Sequence, residues 1–96
     1  MASGTGSVTV SFGTGAGSDR ASATVSGQTG LVAADHVEAW IMRDSTSDHN
    51  ADEHELLARD ARVLCEVTGS GTFDVVVVCD TTWTGDFKVR WVWASA

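Results

Sequence analysis

Ninety-six residues, 43% of them hydrophobic, suffice for one domain with a single two-layer core and leave no material for a second lobe around a cleft, which disfavours an elaborate enzyme. A formal charge of −7 and a pI near 4.5 oppose nucleic acid and anionic membrane as partners, because binding either relies on Lys and Arg. No apolar run approaches a membrane span, and the opening MASGTGS lacks the basic and apolar regions of a signal peptide, so synthesis in the cytoplasm is the expectation.

Proline is absent, and ten glycines punctuate runs rich in Val, Thr, Phe and Trp, which is the punctuation of a β-protein. The pattern predicts an all-β fold, a single small antiparallel β-sandwich or jelly-roll-like domain over residues 8–96 with one short helix in the 48–58 region. Residues 1–7 are small and have nothing to bury, so they predict a flexible N-terminal arm.

The first predicted strand is Ser7 to Phe12, with Val8, Val10 and Phe12 on one face. Gly13 to Ser18, GTGAGS, lacks the lysine and spacing of a phosphate loop and reads as a mobile hairpin loop. Arg20 to Ser26 alternates Ala21, Ala23 and Val25 with polar residues, and its small side chains leave room for the bulky ones near the C-terminus. After the GQTG turn, His36 to Arg43 is apolar on both faces through Val37, Ala39 and Ile41 against Trp40 and Met42. That predicts a strand that is central or covered by a second subunit.

Asn50 with Glu53 three residues on forms a capping-box-like pair opening a helix over about Ala51 to Ala58, with Asp52 and Glu53 in its first turn and Arg59 at its far end. Leu56 and Leu57 are expected to pin it to the sandwich. Ala61 to Asp80 predicts a hairpin turned by Gly69-Ser70-Gly71, in which Cys65 faces Val75 and Ala61 faces Cys79. That register collects Val63, Cys65, Val67, Phe73, Val75, Val77 and Cys79 on one face, whereas a slip of one residue would scatter them. It also leaves the two cysteines four positions out of alignment, roughly 13 Å apart along the strands, so both are expected as buried free thiols. Phe87 to Ala94 closes the chain with Phe87, Val89, Trp91 and Trp93 inward, and Trp83 sits in the loop before it.

The stretch Asp44 to Glu55 concentrates carboxylates and imidazoles, and any specific polar site is expected there. If the helix begins at Asp48, His49, Asp52 and Glu53 share one face, and His54 joins through a loop or another subunit. This candidate set suits a divalent metal, although no cofactor is the leading expectation. Most of the same charges are explained by capping and by pairing with Arg43, Arg59 or Arg62. No HExxH, calcium-loop or nucleophile-base spacing is present, so the chain is not expected to be an enzyme. Trp40, Met42 and Trp83 are the candidate interface residues.

VEAWIM (Val37 to Met42), DSTSDHNADEH (Asp44 to His54), the glycine-turned hairpin and GDFKVRWVWA (Gly85 to Ala94) together resemble small virion proteins of tailed bacteriophages, of the head-decoration, tail-fibre or neck-module type. The resemblance spans roughly residues 36–94. It implies an all-β, non-enzymatic structural protein located in the virion, often a homotrimer, with copies of itself and other virion proteins as partners. The alternative is a β-sandwich module binding a host-surface glycan or a metal, with Trp83 as the stacking face.

Overall fold

In the computed structural model, which describes residues 2–95, slightly more than half of the chain is strand, and six strands and one helix follow each other in the order β1 (Ser3–Ser11), β2 (Ser18–Val25), β3 (His36–Trp40), α1 (Ala51–Asp60), β4 (Ala61–Gly69), β5 (Thr72–Trp83) and β6 (Asp86–Ala94). They form two three-stranded antiparallel sheets, β1-β6-β3 and β2-β5-β4, packed face to face as a small sandwich. The molecule is elongated, with principal extents of 41 × 21 × 20 Å.

Period-two alternation places the core between the sheets. Val10, Phe87, Val89, Trp91 and Trp93 from the first sheet meet Ala21, Val25, Phe73, Val75, Val77 and Cys79 from the second, with Leu31 and Leu57 closing the ends. Phe73 and Trp91 make an edge-to-face contact across the layers at 5.3 Å between ring centroids.

The expected flexible arm is corrected here. Ser3 to Ser7 belong to β1, in register with β6 from Ser3 opposite Ala94 to Ser7 opposite Arg90, whereas Met1 lies outside the described residues. The reason is steric. Gly4 lies opposite Trp93 and Gly6 opposite Trp91, and a Cβ on either would stand 2.5 Å from the Trp93 indole nitrogen or 2.7 Å from the Trp91 ring. Residues with nothing of their own to bury make room for what β6 buries. On the other side of β6, Ala39 lies opposite Trp91 and Val37 opposite Trp93. The room for the tryptophans thus comes from neighbours in their own sheet as well as from Ala21 and Ala23, which also line the core.

Two further expectations change. β3 is an edge strand, not a central one, and ends at Trp40; the central strand of its sheet is β6. Residues 13–17 do not turn a hairpin but carry the chain from one sheet to the other, since β1 and β2 lie in different layers. The hairpin β4–β5 has the expected pairs, Ala61 with Cys79, Cys65 with Val75 and Val67 with Phe73. Near its tip the register shifts, so that Gly69, not Thr68, pairs with Thr72, and Gly71 takes a positive φ of 76°. Both cysteines are free, Cys79 buried and Cys65 half-buried. Burial pushes the Cys79 thiol up to about 11 and raises that of Cys65 as well, so both are poor nucleophiles near neutral pH.

Candidate functional site

The acidic stretch lies at one end of the sandwich, where α1 packs beside the start of β6. Asn50 caps the helix in both senses: its side-chain oxygen accepts the Glu53 N–H at 2.9 Å, and Glu53 Oε1 accepts the Asn50 N–H at 2.8 Å. With Asn50 as cap, the helix begins at Ala51, later than the metal expectation requires. His49 therefore precedes the helix instead of riding on its face.

His54 is completely buried. Its Nδ1–H donates to the Asn50 carbonyl at 2.9 Å, and its Nε2 accepts the Lys88 backbone N–H at 2.9 Å, which fixes the neutral tautomer and occupies both ring nitrogens. His49 stacks on Phe87 with centroids 3.9 Å apart, donates from Nε2 to the Thr84 carbonyl at 2.6 Å, and turns its covered Nδ1 toward Glu53 Oε2 at 3.4 Å. Asp52 faces away, paired with Arg43 at 2.9 Å. Of His49, Asp52, Glu53 and His54, only His49 and Glu53 are thus brought face to face, and among the described residues no three His, Cys, Asp or Glu side chains converge as a metal site. Two side chains one apart on a helix point about 100° apart. For the same reason Leu57 is buried while Leu56 is exposed, so Leu57 alone of that pair pins the helix.

The charges act as braces. Arg43 bridges Asp52 and Glu55, and Arg59 also reaches Glu55 at 2.8 Å. Asp44, expected only as a member of the polar cluster, accepts Arg90 Nε at 2.9 Å and Nη2 at 2.8 Å, with Lys88 Nζ at 3.5 Å. The Arg90 bonds, with help from the Ser45 N–H, hold its carboxyl below the usual range. Asp60 was missed. Its Oδ2 accepts the Trp83 indole N–H at 2.8 Å, the Thr81 hydroxyl at 2.7 Å and the Thr81 N–H at 3.1 Å, and these bonds, the indole first, hold its carboxyl below the usual carboxylate range. No local motif marks either residue, because their partners are 46 and 23 positions away. Asp48 secures the neighbouring loop by accepting the Asp86 N–H at 2.8 Å. A shallow groove of about 330 Å³ lies beside it, lined by Gly13 to Gly15, Asp48, His49, Thr84 and Gly85. Its two titratable side chains are both spent on backbone groups, and no hydroxyl is paired with either as a nucleophile would be.

The three candidate interface residues fall in two groups. Trp83 ends β5, half-buried, with its ring edge-on to Phe87 at 5.8 Å and its N–H held by Asp60, so it caps the sandwich. Trp40 and Met42 stay 39% and 46% exposed on the outer face of the β1-β6-β3 sheet, and Val92, diagonal to Trp40 across the β3–β6 register, is 37% exposed. Among the described residues no helix is long and apolar enough to cross a membrane. The fold and these contacts define a small all-β sandwich with a braced, histidine-plugged end and an apolar outer patch. No family model, curated protein or solved structure matches the chain.

Proposed function

We propose that this chain is a non-enzymatic structural protein that works by associating with copies of itself and with partner proteins, as the resemblance to tailed-phage virion proteins implies. The observation that carries the reading is the patch of Trp40 on the edge strand β3, Met42 just beyond that strand and Val92 on β6, beside the cations Lys88 and Arg90, which share Asp44 as a partner. An aromatic side chain left half in water, beside charges that already have a partner within the chain, supplies the apolar centre that protein interfaces are built around. The histidine- and carboxylate-rich end fits the same reading, because its groups are engaged in holding loops and helix in place. The glycan or metal alternative draws no comparable support: Trp83 has its indole committed to Asp60 and its ring to Phe87.

The test is the absolute mass in solution by light scattering. An oligomer is expected for the wild type, with the Trp40 contact alone closing a trimer by the resemblance, and Trp40→Glu is expected to lower the mass without changing the far-ultraviolet spectrum. A wild-type protein that stays a single chain up to high-micromolar concentration overturns the proposal.

A further inference from the structure

The outer face of the second sheet carries a pattern that the first lacks. Three register rows cross it. Arg20 and Arg62 flank Val78, Ser22 and Leu64 flank Val76, and Thr24 and Glu66 flank Asp74. Read along the strands, the face is basic, then apolar, then acidic. Leu64 is 56% exposed at its centre. A groove of about 410 Å³ runs over this face, lined by Arg20, Leu64, Cys65, Glu66 and Val76. Arg20 and Glu66 occupy opposite ends of it, on the two outer strands and four positions apart in the β5 register. Neither forms an ion pair among the described residues, whereas Arg62 has Asp80 at 3.6 Å.

We infer that this face is a two-fold contact between copies of the chain, with Arg20 of each copy on Glu66 of the other. The inference deepens the self-association reading above and rests on it. A two-fold axis lying in the interface, at right angles to the Arg20–Glu66 line and passing over Val76, exchanges the two ends of the groove. It stacks Val76 on its own copy and brings Leu64 onto the Val76–Val78 stripe, given strands about 4.8 Å apart and about 3.4 Å per residue. Self-complementarity of this kind is what an isologous interface requires: one surface, used twice, with each residue off the axis meeting a different one. A chain of net charge −7 repels its copies at long range, so a basic end facing an acidic end is the arrangement in which local charge favours contact. A patch three strands wide is small for a permanent dimer, so association in the micromolar range is expected.

The experiment isolates this contact from the Trp40 surface. In a Trp40→Glu background, the mass is expected to be that of two chains at high-micromolar concentration. Adding Arg20→Glu places Glu against Glu and is expected to weaken association at least about tenfold, giving a single chain; Glu66→Arg is expected to do the same by placing Arg against Arg. The two single-chain variants, mixed, are expected to pair with each other, because each then supplies the charge that the other lost. All these positions are exposed, and circular dichroism checks that the variants stay folded. If Trp40→Glu is already a single chain while the wild type is larger, the second-sheet contact is overturned and the Trp40 reading stands. If the two-chain species survives Arg20→Glu and Glu66→Arg, the contact lies elsewhere and the inference is equally overturned. If wild type and Trp40→Glu share one two-chain mass that the charge reversals abolish, the second-sheet contact stands and the Trp40 surface loses its role. A wild-type single chain overturns both.

Discussion

His54 shows how one side chain can join three parts of the molecule. It is the only buried polar or charged residue among those described, and it spends its donor on the helix cap and its acceptor on the β6 backbone. An imidazole placed so deeply is stable only because both nitrogens are satisfied. His54→Ala leaves the Lys88 N–H without a protein partner and opens a cavity against Phe87, whose ring lies 4.9 Å away. A loss of about 3 kcal/mol is expected from the combination. Gln reaches as far as the imidazole Nε2, so His54→Gln should restore an acceptor for Lys88 and recover roughly half of the loss. Urea denaturation of the three proteins checks this: equal losses for Ala and Gln would mean that packing alone, not the Lys88 bond, accounts for the residue's contribution.

At the scale of elements, the helix start is the clearest case of local encoding. Asn50→Ala removes the acceptor for the Glu53 N–H and half of a reciprocal pair, and a loss of about 1 kcal/mol is expected, with little further loss when Glu53→Ala is added. Additive losses in the double-mutant cycle would show that the two bonds are independent. The cap was legible because donor, acceptor and turn lie within four residues. The β4–β5 register was legible for a related reason, since only one alignment gathers its apolar residues on one face. β1 was misread although its signal was present: Gly4 and Gly6 are in phase with Val8, Val10 and Phe12, so the small residues continue the inward face. What made them look idle is that their purpose lies in β6, more than eighty residues along. The edge position of β3 was hidden likewise. Apolarity on both faces is common to a central strand and to an edge strand with an exposed patch, and only pairing distinguishes them. The geometry assumed for the metal set changes at a single boundary, because a helix start at Ala51 takes His49 off the face it was meant to share.

For the molecule as a whole, acid should act through three carboxyls, two that tie distant segments together and one that closes the helix cap. Asp44 holds the segment after β3 to β6 through Arg90, Glu53 closes the helix cap through the Asn50 N–H, and Asp60 fastens the end of α1 to the end of β5 through Trp83 and Thr81. All three are lowered from ordinary values of 3.8 for Asp and 4.5 for Glu, each chiefly by the bond just named. A carboxyl lowered in the folded state binds its proton more readily in the unfolded chain. Its stabilisation is therefore complete above the unfolded value and is lost as pH falls through the folded one. An opposing effect exists: protonation also relieves the self-repulsion of a chain carrying −7. That repulsion acts over distances longer than the Debye length of about 8 Å in physiological salt and is screened, whereas the three bonds are made at contact. The local effect should win, and the melting temperature is expected to fall as pH drops below about 5. Comparison with Asp60→Asn isolates one of the three, because the amide does not titrate. The wild type should melt higher than the variant by a constant margin above about pH 5, and the margin should close as the pH falls further. A margin that held at the same size down to pH values near 3 would mean that the Asp60 charge is not what fastens Trp83.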